Sequence, residues 1–278
     1  MRVIIRCCVV AVLVLAGAPV RALAVFVGYD NFDAASINPV KWTGFEFFGL
    51  GAEANRRIEG GMLRINYRAV GDTASNSGRT FSAFGLLMNK SDSALNAIKS
   101  LRVRVKVLAA QATNCASNPA PTSTLPPTQS LAGFGGAFFA SARSLAGATN
   151  DVHALISLSR DPSDSNSSNL HVLAQVFRCA NVLCSQVNWL SWKYLAGIAP
   201  TMGQLAATEQ LRIRWDAAGN RFGFQRGNNT EEFISYTFSD STTPNVPFKG
   251  VEAAHWAENC TTPQPDSIDA LFDNFEIE

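Results

Sequence analysis

Histidine is scarce in this chain, and so is any excess of one charge. His153, His171 and His255 are the only three in 278 residues, too far apart for the HxxxH spacing that seeds a zinc site. Lysine and arginine number 23 against 22 aspartates and glutamates, which lacks the basic footprint of a nucleic-acid-binding protein. Beyond residue 24 no apolar run is long enough to cross a bilayer as a helix. No Ser-His-Asp or Cys-His arrangement has local support as a nucleophile with its base. A sustained helical period is absent too, which leaves alternation as the chain's main signal.

What is present begins with an export signal. Arg2 and Arg6 precede the apolar run Val9 to Leu15, and Ala22-Leu23-Ala24 supplies the small residues that a signal peptidase accepts. Residues 1–24 therefore read as a signal peptide and residues 25–278 as one domain, secreted to the periplasm or beyond. Cleavage removes Arg2, Arg6 and Arg21 but no acid, leaving 20 cations and 22 anions. Cys7 and Cys8 leave with the signal. Of the four cysteines that remain, Cys179 and Cys184 flank a short turn, while Cys115 and Cys260 both sit in loops rich in proline, threonine and asparagine. Three pairings are open, and 179–184 with 115–260 is the favoured one, as disulfides in an exported chain.

The period is two almost everywhere. Leu101, Val103, Val105 and Val107 alternate with Arg102, Arg104 and Lys106, the pattern of a half-buried antiparallel strand. Similar segments are 61–67, 134–142, 152–159, 170–178, 187–195, 211–216, 221–226, 233–238, 248–254 and 270–277, and Asp216 to Asn220 reads as a hairpin loop. Ser91 to Lys99 reads as one short helix. The proline-bearing stretches 113–130 and 258–267 read as loops that cannot enter a central sheet. The first and last strands, around Tyr29-Asp30-Asn31-Phe32 and Leu271 to Glu278, are expected to pair and close a sheet edge.

Four phrases, taken in order, resemble bacterial concanavalin A-like lectin/glucanase jelly rolls. They are Asp30-Asn31-Phe32 with Ile37 to Trp42, Ile58 to Ile65, Leu211 to Asp216, and Leu271 to Phe275. The resemblance spans most of the mature chain and implies an all-β, two-sheet antiparallel jelly-roll sandwich with a concave groove. It also implies a structural calcium ion, with Asp30 and Asp273 as its acids. The hydrolases of this fold carry a Glu-x-Asp-x-x-Glu strand, and no segment here matches it. The chain therefore reads as non-catalytic, binding a glycan or another extracellular ligand. A polysaccharide-active hydrolase or lyase is the alternative, and a structural envelope or adhesion component a third reading.

The candidate ligand residues are Trp192, Tyr194, His171, Gln175, Arg212 and Arg214. Flat rings cover the apolar faces of sugars while amides, imidazoles and guanidinia read hydroxyls. Strict alternation places Trp192 and Tyr194 on one side of their strand and Trp189 on the other. It also makes Trp192 a core residue and aligns Trp215 with Leu211 and Ile213 in the core. Exported protein is expected to begin at Val25 and to contain no free thiol. Intact mass and thiol titration check this, and two reactive thiols or a retained leader would contradict it.

Overall fold

The computed structural model describes residues 25–47, 50–71, 79–89, 97–114, 128–142, 147–164, 166–184, 186–195, 205–238, 248–260, 262 and 264–278. Their strands are β1 Val27–Asp30, β2 Trp42–Phe47, β3 Leu50–Glu59, β4 Met62–Val70, β5 Arg79–Met88, β6 Ser100–Gln111, β7 Gln129–Ala140, β8 Asp151–Arg160, β9 His171–Cys179, β10 Val187–Tyr194, β11 Thr208–Asp216, β12 Arg221–Arg226, β13 Glu232–Ser235, β14 Lys249–Glu258 and β15 Pro265–Ile277. They form two antiparallel sheets packed as a sandwich. The eight-stranded sheet runs β13-β12-β11-β6-β15-β4-β3 with β1 on β15, and the seven-stranded sheet runs β10-β9-β8-β7-β14-β5-β2. The expected all-β, two-sheet jelly-roll sandwich is the architecture observed. Among the described residues no helix is long and apolar enough to cross a membrane.

The eight-stranded sheet follows the alternation rule. Leu63, Ile65, Tyr67 and Ala69 of β4, and Leu101, Val103, Val105 and Val107 of β6, are buried against the other sheet. The intervening residues form ion pairs on its outer face: Arg64 with Asp269 and Glu59, Arg102 with Glu276, and Arg212 and Arg214 with Glu231. The expected edge closure is present, with β1 antiparallel to β15 and Val27 opposite Ile277. Phe275 anchors it, its ring 5.2 Å from Trp42 and 6.0 Å from Tyr29, while Trp42 also stacks on Phe32.

The seven-stranded sheet breaks the rule. Every residue of β7 is buried, as are nearly all of β8 and β14, so both faces of this sheet are covered. One face meets the sandwich core, where His255 lies between the sheets with Nδ1 2.9 Å from Ser130 Oγ and Nε2 3.2 Å from the Tyr67 carbonyl. The other face holds a second, smaller apolar cluster of Ala83, Leu131 and Ala254 with Phe45, Phe81 and Trp256 against it. Strands buried on both faces lose the apolar–polar alternation, which is why β5 has no period-two signature in sequence.

Several expectations change. Strands β2, β3 and β5 add to the segments read from sequence, and β15 starts at Pro265, inside the stretch read as a loop. Proline is tolerated there because the first residue of a strand can forgo a donor. Residues 91–96 of the expected helix and 115–127 of the expected loop lie outside the described residues. Cys179 and Cys184 form the expected bridge, with Cα atoms 4.7 Å apart. Cys260 is disulfide-bonded too, and Cys115 lies outside the described residues.

Replacing Phe275 by Ala is expected to cost about 3–5 kcal/mol, because a fully buried ring that joins the terminal strands leaves a cavity. Urea denaturation measures it, and a loss below ~1 kcal/mol would show that the strand pairing does not rest on this ring.

Candidate functional site

The outer face of the seven-stranded sheet can be read row by row from its register. Glu252 of β14 lies opposite Gly85 of β5 on one side and Gly133 of β7 on the other. Gly133 in turn lies opposite Ser157 of β8, and Ser157 opposite Leu173 of β9. One pleat away, Gly250 lies opposite Gly135, which lies opposite Leu155. Four glycines therefore surround one acid. A Cβ on Gly85 would stand 2.7 Å from a ring carbon of Phe45, and one on Gly135 would stand 2.6 Å from Leu155 Cδ2. Their absence lets Phe45 and Leu155 lie down beside Glu252.

That packing sets the chemistry of the acid. Glu252 is 7 % exposed and lines a depression with Phe45, Gly135, Leu155, Phe248, Gly250 and Val251. Burial penalises its charged form and pushes its pKa up to about 7. A carboxyl with that pKa is about half protonated at pH 7 and can give up a proton near neutrality.

Aromatic side chains form a continuous chain of contacts over this face. Ring centroids lie 5.7 Å apart for Phe45–Phe248, 5.6 Å for Phe248–His153, 4.9 Å for His153–Phe177 and 5.2 Å for Phe177–Trp189. The series continues with Trp189–Trp256 at 5.4 Å, Trp256–Phe81 at 4.7 Å and Phe81–Phe47 at 5.9 Å. Trp189 is on β10 and Trp256 on β14, with β9, β8 and β7 between them. Their contact requires the sheet to curl into a trough whose sides meet. His153 stays neutral under this cover, its pKa lowered to about 3 by burial and by the nearby Lys249. Lys249 is itself lowered to about 7 by burial and donates to the Ala137 carbonyl at 2.8 Å.

The residues expected to bind ligand divide between two surfaces. His171, Gln175, Trp192 and Tyr194 share the outer face of the seven-stranded sheet: Trp192 is opposite Gln175 and Tyr194 opposite Leu173. His171 stacks on Tyr194 at 4.5 Å and meets Asp164 Oδ2 at 3.2 Å, while the Tyr194 hydroxyl donates to Asp161 at 2.6 Å. Burial, reinforced by Asp161, raises the Tyr194 pKa well above the usual phenol range. Arg212 and Arg214 are elsewhere. They lie on the eight-stranded sheet, with Glu231 Oε1 2.8 Å from Arg212 and its Oε2 2.5 Å from Arg214. Alternation told that both arginines face away from Leu211 and Ile213, but not which sheet owns the strand.

The expectations for tryptophan also need correcting. A β-bulge between Trp189 and Ser191 shifts the phase of β10, so Trp189, opposite Phe177, shares a face with Trp192 and Tyr194. Trp192 thus leaves the inter-sheet core, whereas Trp215 packs in it as expected, stacked at 5.2 Å on Phe139.

Metal ligation was tested on the donors present. Asp30 does not suit calcium: Oδ1 accepts the Phe32 amide at 3.0 Å, Oδ2 accepts the Trp42 indole at 2.7 Å, and the Lys41 ammonium stands 3.6 Å away. Asp273 accepts the Asn274 amide at 2.7 Å, and its pKa is raised by burial, against the pull of that hydrogen bond and of Arg104. Among the described residues His153, Cys179 and Cys184 also converge, but the two sulfurs are bonded to each other and offer no thiolate.

No protein-family model and no curated protein matches the chain. Solved structures match its fold over nearly its whole length. A laminarinase from Flavobacterium sp. UMI-01 is 12 % identical, with 89 % of this chain and 97 % of that chain covered and a TM-score of 0.49. The κ-carrageenase from Pseudoalteromonas carrageenovora is 8 % identical, covering 94 % and 99 %, with a TM-score of 0.46. A Bacteroides ovatus mixed-linkage glucan GH16 protein is 9 % identical, covering 88 % and 98 %, with a TM-score of 0.45. The likeness is one of fold, the concanavalin A-like jelly roll, and no site residue is carried across it. The expectation of a non-catalytic binder is corrected here, since these neighbours are named as laminarinase, carrageenase and GH16 protein.

A Glu whose pKa rises from 4.5 to about 7 on folding stabilises the protein fully below pH 4.5, and that contribution is lost as pH rises through 7. Between those limits the stability difference between parent and Glu252→Gln is expected to change by about 3 kcal/mol in the direction unfavourable to the parent. Urea denaturation at several pH values measures it. Parallel profiles would mean that solvent reaches the carboxyl freely.

Proposed function

We propose that this chain is an exported enzyme that cleaves glycosidic bonds in a polysaccharide, with Glu252 as the proton donor. The observation that carries the reading is one buried acid with a raised pKa, set among four glycines and aromatic rings. Aromatic walls suit the apolar faces of sugar rings, and the glycines let Phe45 and Leu155 close in beside the acid and desolvate it. In the proposed step the anomeric C–O bond breaks and the departing oxygen takes the Glu252 proton. Water adds to the anomeric carbon and returns a proton to the carboxylate. Glu252 was missed in the sequence because it is a single acid between Val251 and Ala253, far from any paired-acid pattern. The signal available was its place in Gly250-x-Glu252-x-Ala254-x-Trp256, where every other residue of that face is small or apolar.

Reducing-sugar release from laminarin, mixed-linkage glucan and κ-carrageenan tests the reading, a panel taken from the names of the fold neighbours. Cleavage of at least one is expected, with kcat falling about 100-fold or more in Glu252→Gln. The rate should decline as pH rises past about 7, where the donor loses its proton. Full activity in Glu252→Gln, or no cleavage of any of the three by the parent, would overturn it.

A further inference from the structure

The turn after β9 brings three metal-binding side chains together. His153 of β8 lies opposite Phe177, and Cys179 is two residues further along β9, so it shares the outer face with Phe177 and stands diagonally across from His153. The chain then folds back: the Cys184 amide donates to the Asn181 carbonyl at 3.1 Å and the Ala180 amide to the Gln186 carbonyl at 2.8 Å, which returns Cys184 to the same place. One ligand atom from each of the three lies within 4.8 Å of the other two, and His153 Nε2 stands 3.9 Å from Cys184 Sγ. The imidazole is held in that attitude by the Phe177 ring, stacked on it at 4.9 Å, and by Phe248 at 5.6 Å. Cys179 and His153 are buried, whereas Cys184 is half-buried and follows the exposed Val182 and Leu183.

We infer that His153, Cys179 and Cys184 form a redox-gated zinc site, shut while the cysteines are bridged and opened by reduction of that bridge. The inference stands apart from the enzymatic reading. A dithiol breaks the S–S bond, is itself oxidised to a disulfide, and leaves both cysteines as thiols. Zn2+ then binds both sulfurs as thiolates, displacing their two protons, and takes the lone pair of His153 Nε2. Sulfur and imidazole donors suit zinc, whereas calcium and magnesium take oxygen. Ordinary Zn–N and Zn–S bonds set nitrogen and sulfur about 3.6 Å apart on a tetrahedral ion, close to the present His153–Cys184 separation. The two sulfurs must part to about 3.7 Å, a change that rotation of the half-buried Cys184 side chain supplies. Cys179 and Cys184 have four residues between them, inside the usual ligand spacing of zinc sites. The backbone bonds of this turn, with that from the Asn150 amide to the Cys179 carbonyl at 2.9 Å, involve no sulfur and position the ligands whether or not the bridge is intact. Three protein ligands leave a fourth position for water, reached from the Cys184 side.

The experiment titrates Zn2+ into the full exported chain, as purified and after anaerobic reduction by a dithiol that is then removed, against a chromogenic chelator. The reduced parent should take up a single zinc ion and the oxidised parent none. X-ray absorption of the zinc-loaded protein should show two sulfurs and one imidazole, a reading that needs no variant. Because reduction also opens the bridge at Cys260, Cys184→Ser and His153→Gln decide where the ion sits. Each should weaken zinc binding by more than the about 10–100-fold that loss of an outer-shell partner costs, and His153→Gln carries the comparison if Cys184→Ser does not fold. Zinc should also raise the melting temperature of the reduced parent, since it binds the folded chain. Equal uptake by the oxidised parent, no uptake by the reduced one, or unchanged affinity in a folded Cys184→Ser or His153→Gln would overturn the inference. So would a reduced parent that loses its β-sheet circular dichroism before zinc is added. No arm of the experiment reads polysaccharide cleavage, so its failure leaves the role of Glu252 untouched.

Discussion

The structure depends on one constraint: a sheet whose second face must be covered by its own side chains. The central strands β7, β8 and β14 are buried at nearly every residue, although a sandwich supplies cover to only one side of each sheet. The seven-stranded sheet meets this by curling until Trp189 and Trp256 touch across three strands. Curling of that degree crowds side chains on the inner curve, and the glycines of β5, β7 and β14 relieve the crowding. At Gly136, where φ is 151°, a Cβ would stand 1.8 Å from the Phe248 carbonyl oxygen, so only glycine fits between β7 and β14 there. The same crowding desolvates Glu252. Curvature, glycine content and the raised pKa are thus successive consequences of one packing problem.

The two outer faces solve the problem of exposed sheet in opposite ways. On the eight-stranded sheet, arginines and acids interlock, as where Arg214 and Arg212 share Glu231 and Arg226 meets Glu209. Pairs of this kind at a solvated surface contribute little net stability. The trough of the seven-stranded sheet does the reverse. It removes polar groups from water and pairs only some of them: His171 meets Asp164 and Tyr194 meets Asp161, whereas Ser157 Oγ has no partner. This asymmetry separates a solvated face from a buried one.

How much of this was legible depends on where alternation survives. Strands β4, β6, β11 and β12 keep one solvated face, so their apolar residues recur every second position and their boundaries were read to within a few residues. The β11–β12 hairpin followed from Asp216 to Asn220, and Asn220 takes the positive φ of 48° that such a turn needs. In β5, Phe81 and Leu87 point one way and Phe84 and Leu86 the other, so the segment shows only a run of apolar residues. In β10 a single inserted residue moved Trp189 to the face of Trp192, and nothing in the local sequence marks that bulge. The candidate site was half visible: His171, Gln175, Trp192 and Tyr194 do share a face, but pairing Arg212 and Arg214 with them required knowing which sheet β11 joins.

Glu252 and Ser157 illustrate the remaining limit. Each is an ordinary residue in its own strand, and their relation exists only through Gly133, a residue without a side chain on a third strand. Sequence patterns register residue types and spacings along the chain, whereas this site is assembled across it. Glu252, Ser157 and Gln175 come to share one face only when β14, β7, β8 and β9 are laid side by side in register. The glycine between them matters too, because a Cβ there would stand 2.6 Å from Ser157 Cβ and force β7 and β8 apart. A search of similar sandwiches for function therefore gains from reading rows across the sheet, where small residues isolate a buried acid.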